Sequence, residues 1–324
     1  MSGRLPLSND ITALGELLID FTEYGVSSGG NKLFEQNPGG APANLLAAAA
    51  KLGCKTAFIG KVGKDMHGAL LKETLEKAGI STVGLVEDDS VFTTLAFVAL
   101  SASGEREFSF ARKPGADFCL KPDEVDYTLI KDSRIFHFGS LSLTDEPARE
   151  STARAVAAAK EYGTVISYDP NYRASLWPNQ TTAEKWMKAH VNSVDIMKIA
   201  DNEVLMVTGE NDLAEGAKKL NKTGVKCVAV TLGPDGAFVC IDGKVKTVSA
   251  MDGPVVDTTG AGDAFFGGFL SGFVKSGLSL SDLTLNDAVE FARIGNATAT
   301  LCVGKRGAIP AMPSQENVYS LLKE

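Results

Sequence analysis

ITALGELLID (residues 11–20), APANLLAAAAKLG (41–53), TAFIG (56–60) and HGALLKETLEKAG (67–79) set short apolar runs between longer amphipathic ones. Apolar residues recur at helical spacing in the second and fourth and are continuous in the first and third, which reads as β-α-β-α. The alternation returns in RIFHFGSL (134–141), PARESTARAVAAAKEYG (147–163), TVISYD (164–169), VDIMKIA (194–200), NEVLMVTG (202–209) and VKCVAVTLG (225–233). Strands separated by helices must run parallel, so a mostly parallel sheet with helices on both faces is expected, a three-layer α/β/α arrangement. Two stretches break the rhythm. Residues 21–36, and VFTTLAFVAL (91–100) followed by the SASGE turn (101–105) and REFSFAR (106–112), alternate polar and apolar side chains, as antiparallel strands with one covered face do. They predict a small separate sheet, contributed by about 21–36 and 91–113, inserted into one domain that spans 1–324. After Gly260 the pattern is helical: AFFGGFLSGFVK, LNDAVEFARIGNATATL and SQENVYSLLK.

The 324 residues are 44% hydrophobic and 22% charged, an ordinary globular balance that argues against disorder, collagen-like repeats and coiled coil. Against 32 Lys and Arg stand 40 Asp and Glu, a formal charge of −8, the wrong sign for coating a phosphate backbone, so no nucleic-acid partner is expected. Cys54, Cys119, Cys227, Cys240 and Cys302 form no CxxC and sit among apolar neighbours, which points to reduced core thiols and a cytoplasmic location. No apolar run is long enough to span a membrane and the start MSGRLPLSND has no apolar signal core, so neither a membrane partner nor export is expected. Glycine is the one excess, 33 residues, and its clusters mark where a backbone can approach a ligand.

Three clusters carry chemistry. In DTTGAGDAFFGG (257–268) the loop ending in Gly260, Ala261 and Gly262 runs into an apolar helix, so unpaired N–H groups and the positive helix end converge on an anion site. Asp263 there reads either as a helix cap or as a base beside a phosphate. The spacing is neither the dinucleotide fingerprint nor Walker A. In NPGGAPANLLAAAAKLG (37–53), Gly39 and Gly40 followed by Pro42 and Asn44 make either a turn with a helix start, or a bare backbone and an amide facing a polyhydroxylated ligand. Asp20, at the end of the first apolar run, is either a solvated strand end or a carboxylate in the ligand crevice. In SYDPNYRASLW (167–177) a strand ends in Asp169, Asn171 and Arg173; the guanidinium suits phosphate, or pairs with Asp169 on the surface.

These segments resemble the ribokinase-like sugar kinases, the phosphofructokinase-B group, and within it the fructokinases. GGAPANLLAAAAKLG and DTTGAGDAFFGG carry the likeness, with GELLIDF, FIGKVGKD, GEREFSFARKPGAD, FHFGSLSL, SYDPNYR, VTLGPDGAF and GAIPAMP extending it over about residues 11–315. The resemblance implies a ribokinase-like fold with a small β lid, Asp263 as catalytic base, Gly260, Ala261 and Gly262 as its anion hole and Arg173 on the transferred phosphate. It implies sugar contacts from Asp20, Gly39, Gly40 and Asn44, with Arg112 reaching over the substrate. Asn171 and Lys198 fall where the triphosphate lies, Thr231, Gly233 and Gly236 where the nucleotide lies, and Asn296 near adenine. Glu203 matches a residue that organises Mg²⁺ through water, and Asp257 and Thr259 match a K⁺ loop. Two departures stand out: Ala200 replaces the Asn that often precedes that Glu, and ARKPGAD stands where many fructokinases have YRNPSAD.

The activity so implied is ATP-dependent phosphorylation of D-fructose to D-fructose 6-phosphate, by a homodimer joined through the lid. The alternatives are another sugar kinase, notably one for 2-keto-3-deoxygluconate, and, in a different class, a non-catalytic regulatory relative. The intact Asp263 and GAG run argue against the last. His67, His137 and His190 are too scattered for a metalloenzyme, and GxSxG is absent.

Overall fold

The computed structural model describes residues 7–100 and 106–323. The expected SASGE turn and the first six residues of the MSGRLPLSND start lie outside the described residues. The chain opens with β1 (Asn9–Leu14), β2 (Leu18–Val26), β3 (Lys32–Gly39), α1 (Ala41–Lys51), β4 (Thr56–Gly63), α2 (Met66–Lys77) and β5 (Ile80–Asp88). It continues through β6 (Leu95–Leu100), β7 (Arg106–Ala111), α3 (Tyr127–Lys131), β8 (Ser133–Gly139), α4 (Ala148–Tyr162), β9 (Val165–Asp169), α5 (Gln180–Lys188), β10 (Ile196–Ala200) and α6 (Asp201–Thr208). The last part holds α7 (Leu213–Lys222), β11 (Cys227–Thr231), β12 (Ala237–Ile241), β13 (Lys244–Val248), α8 (Ala261–Ser276), α9 (Leu285–Val303) and α10 (Gln315–Leu321).

Among the described residues the large sheet has nine strands in the order β13-β12-β11-β10-β9-β8-β1-β4-β5. All its pairings are parallel except those of β12 and β13, which close one edge as an antiparallel hairpin. That edge follows from its connections: β11 reaches β12 through the short turn Gly233–Asp235, with no crossover helix between them. From β1 the chain goes to β4 and β5 on one side and later to β8, β9 and β10 on the other, so β1 marks a topological switch point. The carboxyl ends of β1 and β8 therefore open a crevice there. Two apolar layers pack the faces, one built on α1, α2, α8 and α9, the other on α4 to α7. Phe58, Phe136, Phe138, Phe266 and Phe269 are fully buried in them, each stabilising by roughly 1.5–3 kcal/mol.

The smaller sheet has the order β3-β2-β6-β7 among the described residues. Its outer pairings are antiparallel, but β2 and β6 run parallel, which the alternation alone could not show. It also begins earlier than expected. ITALGELLID is two strands in two sheets, β1 in the large sheet and β2 in the small one, separated at Gly15–Leu17. Gly15 packs against Pro42, where a Cβ would lie 2.6 Å from the proline Cγ, and the chain turns away from the large sheet at this point. Asp20 thus sits on the small sheet, opposite Asn37 and Ala96, and not at the end of the first strand of the large one. No helix among the described residues is long and apolar enough to cross a membrane.

Candidate active site

The glycine loop and α8 behave as the residue pattern predicts. Gly260 caps the helix in the left-handed region at φ +76°, and Asp263 falls in the first helical turn. Gly262 lies close under Lys198: a Cβ there would stand 2.9 Å from its Nζ. The loop backbone thus lies directly against a buried ammonium, a fitting cradle for an anionic group. Asp257 ties the loop to the segment behind it, Oδ1 accepting from Thr259 N and Oγ1 and Oδ2 from Gly307 N.

Asp263 is 9% exposed, and its Oδ2 accepts from Asn44 Nδ2 at 2.8 Å. This bond joins the first turns of α1 and α8, the two glycine-led helices. Burial pushes the Asp263 carboxyl up to about 6; nearby Asp169 adds to the rise, while Asn44, Lys198 and Arg173 oppose it. The group is ionised at neutral pH but basic enough to take a proton.

Around it the crevice narrows to a cavity of about 80 Å³, walled by Asp20, Gly40, Asn44, Asn171, Arg173 and Asp263, with Thr259 and Gly260 below. Gly40 is glycine by necessity: at φ +123° a Cβ would lie 2.3 Å from the Glu16 carbonyl oxygen. The neighbouring Gly39 backbone lies against the Asp20 carboxylate. Leu141 and Phe110, from opposite sides, close the cavity. Glu16, Leu18, Phe110 and Leu141 are wall residues that reading by motif passed over. Glu16 stands inside the quoted GELLIDF, but an acid between apolar residues there gives no periodic signal. It is 2% exposed and burial lifts its carboxyl to about 7. Its Oε1 accepts from Ala41 N at 2.8 Å, whereas Oε2, like Asn44 Oδ1, is buried without a hydrogen-bond partner. Each such buried orphan costs about 1–3 kcal/mol.

The residues expected on the phosphate side are braced from beneath. Lys198 is paired with Asp169 at 3.0 Å, both nearly buried, so the surface pairing of Arg173 with Asp169 does not occur. Burial draws the ammonium down, but Asp169, Glu203 and Asp263 outweigh it and hold it above its ordinary value. Glu203 accepts from Tyr172 N at 2.6 Å and Ala200 N at 2.9 Å, fixing the turn in which Asn171 adopts φ +46°. Thr231, Gly233 and Gly236 follow at the end of β11, on the same side of the sheet. Asn296 donates to the carbonyls of Val248 and Ser249, so its amide hydrogens shape the wall behind β13 instead of facing a ligand.

Arg112 is the residue whose placement differs most from expectation. It is 7% exposed and bound to Asp117 through Nε and Nη2, to Thr144 and to the Leu141 carbonyl. It lines the cavity of about 600 Å³ on the other side of Phe110 and not the one that holds Asp263. A guanidinium so engaged ties the end of β7 to Asp117 and to the Leu141–Thr144 segment.

A carboxyl near neutral pKa at a glycine-led helix start, facing a polar cavity at the switch point of an α/β sheet, defines a phosphotransferase to an alcohol. The description "pfkB family carbohydrate kinase" matches residues 8–315, and the chain belongs to that family. It is 41% identical over 317 residues to fructokinase-2 of Solanum lycopersicum, covering 97% of this chain and 96% of that protein. A fructokinase from Xylella fastidiosa with bound ATP superposes with a TM-score of 0.88 at 32% identity, covering 97% of this chain and 98% of that one. A double-mutant fructokinase from Vibrio cholerae O395 bound to fructose, ADP and potassium ion superposes with a TM-score of 0.87 at 29% identity, covering 98% and 100%.

Proposed function

We propose that the chain is an ATP-dependent fructokinase, EC 2.7.1.4, which transfers the γ-phosphoryl group to the primary hydroxyl of D-fructose and yields D-fructose 6-phosphate. The observation that carries the reading is the Asp263 carboxyl, held by Asn44 at the start of α8 and facing the cavity shared with Asp20. The full-length likeness to fructokinases supports the choice of sugar. Asp263 takes the proton of the attacking hydroxyl at Oδ1 or Oδ2, and the Gly260–Gly262 N–H groups with Arg173 and Lys198 hold the charge that develops on the phosphoryl oxygens. Asp20, Asn44 and the Gly39–Gly40 backbone orient the sugar, and Asn171, Thr231, Gly233 and Gly236 line the path of the nucleotide.

A magnesium ion, if bound with the triphosphate, would supply positive charge against the phosphate oxygens. Among the described residues no group of three or more His, Cys, Asp or Glu is placed to hold a metal, so the fit is to an ion carried in on the triphosphate. Glu203 would meet its water shell, since each oxygen keeps a lone pair beyond its backbone bond. Asp257 and Thr259 mark the loop that would hold K⁺. At about 80 Å³ the cavity is far below the roughly 300–1,000 Å³ of small-molecule sites, so the small sheet acts as a lid that opens to admit sugar and closes to exclude water. The same lid joins two copies, and the unpaired thiols fit a cytoplasmic enzyme.

A keto-acid sugar is disfavoured because Arg112, the cation that would meet its carboxylate, is bound to Asp117 outside the cavity. The test is ATP turnover with fructose, ribose, glucose and 2-keto-3-deoxygluconate. Fructose should give the highest kcat/KM; a higher value for any of the others would overturn the assignment.

A further inference from the structure

Glu16 lies in the passage between β1 and β2, where the chain leaves one sheet for the other. Its two oxygens are used differently. Oε1 takes the Ala41 N–H and so fixes the start of α1, directly after the tight Gly40 turn. Oε2 takes nothing and is covered from solvent, although the residue forms part of the wall of the cavity that holds Asp20, Asn44 and Asp263. An anchor for Ala41 needs only one oxygen. The second is an acceptor left over at the wall of a polar cavity whose other orphan, Asn44 Oδ1, is also an acceptor. Arg112 and Asp117 act on the carboxyl electrostatically, and neither hydrogen-bonds to it.

Resting on the fructokinase reading for the identity of the sugar, we infer that Glu16 is a sugar-binding residue: Oε1 anchors the glycine turn while Oε2 takes one hydroxyl of the substrate. One side chain then sets the position of the turn and contributes to the choice of sugar. Because a hydroxyl both donates and accepts, it can meet Oε2 in either protonation state of the carboxyl.

The experiment measures kcat and KM for the native enzyme, Glu16→Ala and Glu16→Asp. The sugars are D-fructose, its 1-deoxy, 3-deoxy and 4-deoxy analogues, and 2,5-anhydro-D-mannitol, which lacks the anomeric hydroxyl. Both variants should lose about 10- to 100-fold in kcat/KM for fructose, mainly through KM, the range that a hydrogen bond to a charged group supplies. KM for ATP should stay within a few-fold. For the one analogue that lacks the contacted hydroxyl, the gap between native enzyme and variant should shrink to what loss of the Ala41 anchor alone costs, well below the gap for fructose. An equal loss with every sugar would make Glu16 a structural anchor only, and unchanged fructose kinetics would remove it from the pocket; either overturns the inference. Should Glu16→Ala fail to fold, Glu16→Asp, which keeps the charge and is one methylene shorter, decides by the same comparison. Native enzyme inactive on fructose but active on another sugar would overturn the fructokinase reading itself, and this inference with it.

Discussion

At the scale of single residues, Asp263 is costly to the fold for the reason that makes it useful. Its carboxyl is raised from 3.8 to about 6, chiefly by burial. The native state therefore binds the extra proton more tightly than the unfolded chain, a contribution present below about pH 4 and lost as pH rises through 6. Above that pH the buried charge costs about 3 kcal/mol. Asp263→Asn removes the charge and keeps an oxygen for Asn44, so the variant should match or exceed the native melting temperature at pH 8 while kcat falls about 10²- to 10⁴-fold. Calorimetry should find ATP binding intact within a few-fold. A variant that kept more than about a tenth of native turnover would remove Asp263 as the base. The same shift sets the pH profile: protonated Asp263 cannot accept the hydroxyl proton, so kcat/KM for fructose should fall about tenfold per pH unit on the acid side of about 6. A profile flat from pH 7 down to 5 would contradict this.

At the scale of elements, the site is an assembly of helix starts and strand ends braced by buried carboxylates. Glu203 is the clearest brace, because it holds the turn after β9 and the first turn of α6 through two backbone N–H groups. Glu203→Gln has one acceptor for those two donors and sets an NH₂ against the other, which should cost about 1–3 kcal/mol. The melting temperature should drop in metal-free buffer without nucleotide; unchanged melting there, with the lost activity restored by excess magnesium, would assign Glu203 to the metal alone. The β-α rhythm and both glycine-led helices were legible in the residues, because period and capping are local properties. What escaped was long-range. The break in ITALGELLID depends on Gly15 meeting Pro42, and the pairing of Asp169 with Lys198 depends on β9 lying beside β10. The partners of Arg112 escaped because nothing local shows that Asp117, Thr144 and Leu141 converge on it. Glu16 was missed because its partner is a backbone N–H at Ala41, across the small sheet.

At the scale of the whole molecule, the small sheet carries the proposed sugar-binding residues on β2 and β3 yet is thin for a structure that must stay ordered. Its ties to the body include Gln36 to His67, Phe21 edge-on to His67, Glu35 to Arg306, and Tyr24 against the Arg306 guanidinium. Among its described residues, several large apolar side chains lack cover. Tyr24 and Val26 are more than 60% exposed, and Leu33, Phe34 and Phe97 about 40%. Phe97 stacks on Phe21 with centroids 5.3 Å apart and meets Phe34 edge-on at 6.0 Å, a ring cluster at the sheet's centre. A clustered apolar patch of this kind on a four-stranded sheet marks an interaction surface. A second copy of the same sheet would supply a matching patch, and the proposed two-fold contact would bury each against the other. Dimer formation would then stabilise the lid and, through Asp20, the sugar wall. Light scattering at micromolar concentration should give about twice the 34.1 kDa chain mass. Phe97→Asp, which places a charge in the ring cluster, should return the mass to that of one chain and raise KM for fructose more than KM for ATP, with the large sheet still folded by circular dichroism. A native mass of one chain at that concentration would refute the lid contact. A Phe97→Asp dimer would move the interface off the ring cluster.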